Sequence, residues 1–458
     1  MENKIRGSLT EGPILKVLTR LALPIMAASF LSTAYNITDM AWIGQLGSKA
    51  VVCVGIGGMF IWLSQGLASL ARMGGQVHMA QRLGSGDRES ARDYAHAAIH
   101  LAIIFGLFFG LVSLIFAKPL VGFFGLDDPI SIAHGEIYLR ITCGLIIFSY
   151  INAVLTGLFT AQGDSKTPLK ANFIGLVINM AFDPLLILGV GPFPRLEVVG
   201  AAAATVSAQV VVTLVLLLSI RRSKGGRGVL HEIRFFQPAR PECISAIIRL
   251  GGPTALQNTL YCMISMVLTR MVANFGDAAT AAQRVGSQIE SVSWNTADGF
   301  AAALNAFVGQ NFGAKKMDRV KKGYEISAAT LLVWGSAILL LFLFFADPIS
   351  RIFFHEAEVI PISINYLRII GFSEPLLCVE IIAIAGISGL GNTRLCSLIS
   401  IVFTGMRIPL AFFLSRTAMG LDGIWWAFTL TSIMKGIVLH FAFRRECRRT
   451  KLTAEVQA

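Results

Sequence analysis

Charge is scarce in this sequence. Asp, Glu, Lys and Arg make up only 14% of its 458 residues against 54% hydrophobic ones, and the mean hydropathy is +0.67. That balance excludes water as the main solvent of the folded chain. Cysteine is equally sparse: the seven, at positions 53, 143, 243, 262, 378, 396 and 447, are scattered without a CxxC pair. They imply neither a disulfide framework nor a metal site. No GxxxxGK[ST] occurs, which argues against an ATP-driven pump. His78, His96, His100 and His134 fall near the expected membrane surfaces and are not spaced as HExxH. An intramembrane enzyme needs a nucleophile with a base, or a metal cluster, so the chain is expected not to be an enzyme and to need no cofactor. The first apolar run continues to about Ile43 without a small-residue cleavage site, so targeting is expected to rest on the first span itself.

Long apolar runs are what the sequence has instead. A spanning helix needs about 20 apolar residues, and such runs fall near 21–43, 51–71, 97–117, 141–161, 171–190, 198–220, 250–274, 279–308, 327–346, 369–390, 397–415 and 423–443. The expected fold is therefore all-α and polytopic, with twelve transmembrane helices. A net charge of +12 would suggest nucleic acid if the basic residues shared one face of a soluble domain, but here they alternate with spans, so no nucleic-acid partner is expected. With a cytoplasmic N-terminus, the inside segments hold about 28 of the 39 Lys and Arg and the outside loops about 7. The positive-inside bias thus puts both termini in the cytoplasm, in a multi-pass protein of the cell membrane.

The chain also repeats itself. A shift of 229 residues lays Leu23-Pro24 on Gly252-Pro253, Gly47 on Gly276, Gln81 and Gly84 on Gln310 and Gly313, and Ala117-Lys118-Pro119 on Ala346-Asp347-Pro348. After a one-residue deletion, Tyr138-Leu139-Arg140-Ile141 falls on Tyr366-Leu367-Arg368-Ile369 and Gly163-Asp164 on Gly391-Asn392. The division expected is an N-terminal six-helix lobe at 1–220, a cytoplasmic linker at 221–249, a C-terminal lobe at 250–443 and a basic tail at 444–458. The linker is rich in Arg, Gly and Pro, including Arg221, Arg222, Lys224, Arg227, Arg234, Arg240, Pro238 and Pro241. Six spans per half make the repeats parallel, an arrangement that transporters use.

Several motifs together carry a family resemblance. Val308-Gly309-Gln310-Asn311-Phe312-Gly313-Ala314, Gln81-Arg82-Leu83-Gly84-Ser85-Gly86-Asp87, Ala161-Gln162-Gly163-Asp164-Ser165-Lys166-Thr167-Pro168 and Gly389-Leu390-Gly391-Asn392-Thr393-Arg394 resemble the multidrug and toxic compound extrusion (MATE) family, over all twelve spans. The resemblance implies two six-helix lobes around a central cavity, and efflux of drugs or toxins driven by H+ or Na+. Locally the same residues have a plainer role: Gly84 and Gly86 let an inside loop turn, and Asp87 caps the helix beginning near Arg88.

A charge kept in hydrocarbon costs at least about 2.5 to 3.5 kcal/mol at a helix centre, so each one is a functional candidate. At about 1.5 Å per residue, Asp39 is at most about 28 Å above Arg20 and Asp183 about 20 Å above Lys170, both in the outer half. Tyr35 and Asn179 precede them by one turn, and Thr205 reaches a similar depth. These positions match the N-lobe cation site of the DinF-like branch of the family: Asp39, Asp183, Asn179, Thr205 and Tyr35, with Tyr138 as a sixth. The resemblance implies H+ binding here, or a metal site at Asp39, Asn179 and Asp183 if sodium is the coupling ion. The plainer reading makes Asp183 a cap beside Pro184 and Asp39 an interfacial acid. The repeat places Asp39 on Leu268, Asp183 on Ala411 and Asn179 on Arg407, so duplication alone does not require the constellation.

In the C-terminal half, Arg284, Glu374 and Arg407 are expected about 10 Å below the outer surface, with Glu374 neutralised by either arginine. Glu290 and Glu380 are expected near mid-membrane without obvious partners, as candidates for attracting a cationic substrate. The acidic site that another branch carries in span 7 is unmatched, since that stretch reads Thr254-Ala255-Leu256-Gln257-Asn258. The expected function is secondary antiport of hydrophobic or cationic drugs for H+ or Na+ by alternating access. Small-molecule drugs or toxins, the coupling ion and membrane lipid are the expected partners of a monomer. The alternative is a flippase for a lipid-linked oligosaccharide or related lipid.

Overall fold

The computed structural model describes residues 9–46, 48–122, 129–189, 194–222, 229–233 and 237–456. Lys224, Arg227 and Arg234 of the expected linker lie outside these. The described residues form fifteen α-helices: α1 Ile14–Gly44, α2 Ser48–Gly84, α3 Arg88–Gly122, α4 Pro129–Gly144, α5 Ile147–Ala161, α6 Lys166–Ile187, α7 Glu197–Arg222, α8 Pro241–Ala273, α9 Asp277–Gly313, α10 Met317–Phe353, α11 Val359–Gly371, α12 Glu374–Gly389, α13 Thr393–Gly405, α14 Arg407–Ser415 and α15 Leu421–Val456. A short 3-10 turn at Val229–Glu232 precedes α8.

The helices fall into two compact units. The described residues within Ala27–Ala255 make one, and those within Leu9–Met26 and Leu256–Ala458 make the other, so the boundaries lie inside α1 and α8. Among the described residues, eight stretches are long and apolar enough to cross a membrane, one of them α13 together with α14, and two bent pairs bring the number to ten. The remaining long helices, α8 and α9, carry more polar side chains. Phe108, Val333 and Phe344 are 61 to 74% exposed, an outward placement that suits lipid and not water.

Spans 4 and 10, read as single runs in the sequence, are each broken. The α4–α5 pair bends by 40° and the α11–α12 pair by 50°. Both breaks pack on a glycine of the preceding span. A Cβ on Gly106 would stand 2.7 Å from the Ile147 backbone, and one on Gly335 would stand 2.7 Å from Glu374 and Pro375. Gly106 and Gly335 are 229 positions apart and Ile147 and Pro375 are 228 apart, so the two halves repeat the bend with the same register as their sequence. Span 11 is likewise divided, into α13 and α14.

The motifs act as joints. Asp87 accepts from the Ser90 backbone N–H at 3.0 Å, and Gly86 takes φ of +81° before it, as the sequence suggests. Gln310 and Asn311 do something the sequence did not disclose: they clasp the segment preceding α1. The Leu9 N–H donates to Gln310 Oε1 at 2.9 Å, while Asn311 Nδ2 donates to the Leu9 carbonyl at 3.1 Å. Arg319 supports both, donating to Asn311 Oδ1 at 3.1 Å and to the Gly12 carbonyl at 2.9 Å.

Candidate ion and substrate sites

In the first unit, four helices bring six side chains into one neighbourhood. Tyr35 and Asp39 stand one turn apart on α1, Asn179 and Asp183 one turn apart on α6, Tyr138 on α4 and Thr205 on α7. Asn179 and Asp183 are fully buried and Asp39 is 8% exposed. Asn179 Nδ2 donates to Asp183 Oδ1 at 3.1 Å, and the Tyr35 hydroxyl donates to Thr205 Oγ1 at 3.0 Å. Asp39 acts electrostatically on Asp183, on Tyr35 and on Tyr138. Three acceptor oxygens there, Asp39 Oδ1, Asn179 Oδ1 and Asp183 Oδ2, are buried with no hydrogen-bond partner. Such oxygens are costly to leave bare in a low-dielectric interior.

The plainer reading of Asp183 does not fit this geometry. Helix α6 runs through Pro184 to Ile187, so Asp183 is no cap at a helix end. Helix α1 continues to Gly44, and Asp39 is buried within it.

Tyr138 is positioned by a close approach. A Cβ on Gly57 would lie 2.4 Å from its ring, and in the second unit a Cβ on Gly286 would lie 2.3 Å from the ring of Tyr366. These are the same pair one repeat apart.

The second unit differs from the sequence expectation. Glu374 takes no arginine: the Ser293 hydroxyl donates to it, and its Oε1 is buried without a partner. Helix α9 leaves Arg284 exposed. Arg407 is instead drawn to α15, donating to Thr431 Oγ1 at 3.1 Å and Ser432 Oγ at 2.8 Å and lying 5.0 Å over the Phe428 ring. Glu290 and Glu380 do have partners. The Tyr366 hydroxyl donates to Glu290 Oε2 at 3.3 Å, and Lys435 Nζ sits 2.7 Å from Glu380 Oε1 with both side chains buried. The hydrocarbon rule would have flagged Lys435, which falls inside the expected last span. The repeat would have flagged Tyr366, which lies on Tyr138. Ser293 gave no signal.

Comparison with known proteins agrees with the repeat. The family model described as MatE matches residues 24–185 and 253–413, segments that begin 229 residues apart and end 228 apart. A Thermotoga maritima protein named probable multidrug resistance protein NorM is 28% identical, across 96% of this chain and 95% of its own. A Shewanella oneidensis protein named FAD transporter is 26% identical, across 98% and 99%. Among solved structures, a MOP superfamily transporter from Pyrococcus furiosus superposes with a TM-score of 0.90 at 23% identity, covering 98% of this chain and all of that one. The Vibrio cholerae MATE transporter VcmN in its bent form gives 0.87 at 21% identity, covering 96% and 98%. These neighbours have the two-lobe, twelve-helix fold to which the ten apolar spans with α8 and α9 correspond. Nothing in the matches supports the flippase alternative. The chain belongs to the MatE family of multidrug and toxic compound extrusion proteins, and it is a multi-pass integral membrane transporter, not an enzyme.

Proposed function

We infer that the protein is a multidrug efflux antiporter of the cell membrane, with both termini cytoplasmic, that expels cationic or hydrophobic compounds in exchange for H+ or Na+. The observation that carries this reading is the trio of unpartnered oxygens on Asp39, Asn179 and Asp183 in the first unit. One proton taken by either carboxyl leaves the pair a single negative charge, and a sodium ion between them, with the Asn179 amide oxygen as a further ligand, offsets the same one charge. Tyr35, Thr205 and Tyr138 rearrange around the loaded site and α1, α6 and α7 repack. Drug affinity then falls and export follows. A differential affinity of about 5.5 kcal/mol would carry such an equilibrium fully from one state to the other, and less coupling leaks. In the second unit Glu290 is the carboxylate offered to a cationic cargo, since Glu380 is engaged by Lys435. The test is ethidium export from liposomes under a sodium gradient, a proton gradient and neither. Export that ignores both gradients sinks the reading.

A second reading concerns the cargo. The relative named FAD transporter, together with a buried Arg407 whose hydrogen bonds go to neutral hydroxyls, supports an anionic substrate. FAD loaded into the same liposomes tests it.

A further inference from the structure

Lys435, on α15, reaches across to α12 and α13. Its Nζ lies 2.7 Å from Glu380 Oε1 and donates to Thr404 Oγ1 at 3.4 Å. The side chains of Lys435 and Glu380 are 5% and 7% exposed, so the pair is shut from solvent. Glu380 Oε2 is buried and has no hydrogen-bond partner. The carboxylate thus has the form of a one-ion site whose occupant is covalently attached. Arg407 also acts on Lys435 electrostatically and gives its own hydrogen bonds to hydroxyls, while Glu374 and Asp298 act together with Glu380 on the neighbouring Cys378.

The first unit shows what this place in the fold looks like without ions. The 228-residue offset puts Glu380 on Asn152, which also ties span 4 to span 6: Asn152 Nδ2 donates to the carbonyl and the Oε1 of Gln209, each at 2.9 Å. The Thr213 hydroxyl donates to Asn152 Oδ1 at 2.7 Å. An amide network therefore suffices to join these spans. An acid at the equivalent position needs a counter-charge at every stage of a transport cycle, because an unpaired carboxylate is expensive inside a membrane.

We propose that Lys435 is a tethered cation that stands permanently where a coupling ion would otherwise bind Glu380, so that the second unit exchanges no ion at this acid. This rests on the reading of Asp39 and Asp183 as the exchanging site, and it deepens that reading by fixing where the ion load of the cycle resides. A lysine suits the role because its compact ammonium on a flexible stem can follow the carboxylate as helices shift.

The experiment counts exchangeable ions on the purified full chain, as sodium-22 bound at alkaline pH and as protons taken up on stepping from pH 8 to pH 6. Lys435→Met gains one ion per chain, sodium or proton, and Glu380→Gln combined with Lys435→Met abolishes the gain. A folded Lys435→Met protein that gains none overturns the proposal. Glu380→Gln by itself decides the matter even if Lys435→Met fails to fold: it removes no bound ion, whereas loss of one shows that Glu380 already exchanges ions. Combined Asp39→Asn and Asp183→Asn changes that remove no ion would sink the first-unit reading, while the difference due to Lys435 would still be readable.

Discussion

Asn179 donates to Asp183 across 3.1 Å, one turn below it on the same helix, and its own carbonyl oxygen is left buried without a partner. The amide therefore does two jobs, orienting the carboxylate and offering an acceptor to whatever neutralises it. Asn179→Ala should weaken coupling-ion binding by about 10- to 100-fold, the worth of one hydrogen bond to a charged group at about 1.5 to 3 kcal/mol. The ion concentration for half-maximal ethidium export measures it. An unchanged value would remove Asn179 from the site.

Gly57 and Gly58 provide an internal control. A methyl on Gly57 meets the Tyr138 ring at 2.4 Å, whereas one on Gly58 meets nothing within 4 Å. Gly57→Ala should displace Tyr138 and depress ion-coupled export severalfold, and Gly58→Ala should leave it near the parent level. Equal rates for the two variants would show that the position of Tyr138 does not matter.

The sequence disclosed the cluster of Asp39, Asn179 and Asp183 more fully than the second unit, for a physical reason. Asp39 and Asp183 are acids in hydrocarbon, and each has a polar side chain one turn before it, so composition and helical spacing suffice to find them. Glu380 follows a 50° bend between α11 and α12, and depth counted along a straight span ignores such a bend. Apolar side chains run on through the first break, at Leu145 and Ile146, so that bend left no mark in hydropathy, whereas the second carries Ser373, Glu374 and Pro375. Common to both are Gly106 and Gly335, whose meaning depends on a neighbouring helix. The duplication was legible because its register is carried by turns and close contacts, such as Gly57 with Tyr138 and Gly286 with Tyr366, which tolerate little drift.

The clasp on Leu9 should be worth measurable stability. Asn311→Ala removes donors to the Leu9 and Phe307 carbonyls and the acceptor for Arg319. Buried polar groups left unmatched cost about 1 to 3 kcal/mol, so the thermal midpoint should fall and the chain before α1 should become sensitive to limited proteolysis. Parent-like melting and protease resistance would show that the motif does not hold the segment.

Asp87 gives a pH signature outside the membrane. The Ser90 hydroxyl and backbone N–H beside it hold its carboxyl below the usual range. A depressed acid contributes stability that is complete above its unfolded value, near 3.9, and lost as pH falls through the lower folded value. Asp87→Ala should therefore cost about 1 kcal/mol at neutral pH, as lost N-caps do. In denaturation followed down the pH scale, the difference from the parent should close only in strong acid. A gap that closes near neutrality would contradict the cap.

If ion and drug exclude each other through Asp39 and Asp183, linkage requires each to lower the other's affinity by the same factor. Ethidium binding to the purified protein, titrated across pH and sodium concentration, tests this most directly. Affinity should fall as the coupling ion is raised in the parent, and should lose that dependence when Asp39→Asn and Asp183→Asn are combined. Affinity indifferent to both ions, in parent protein that still transports, would contradict the account.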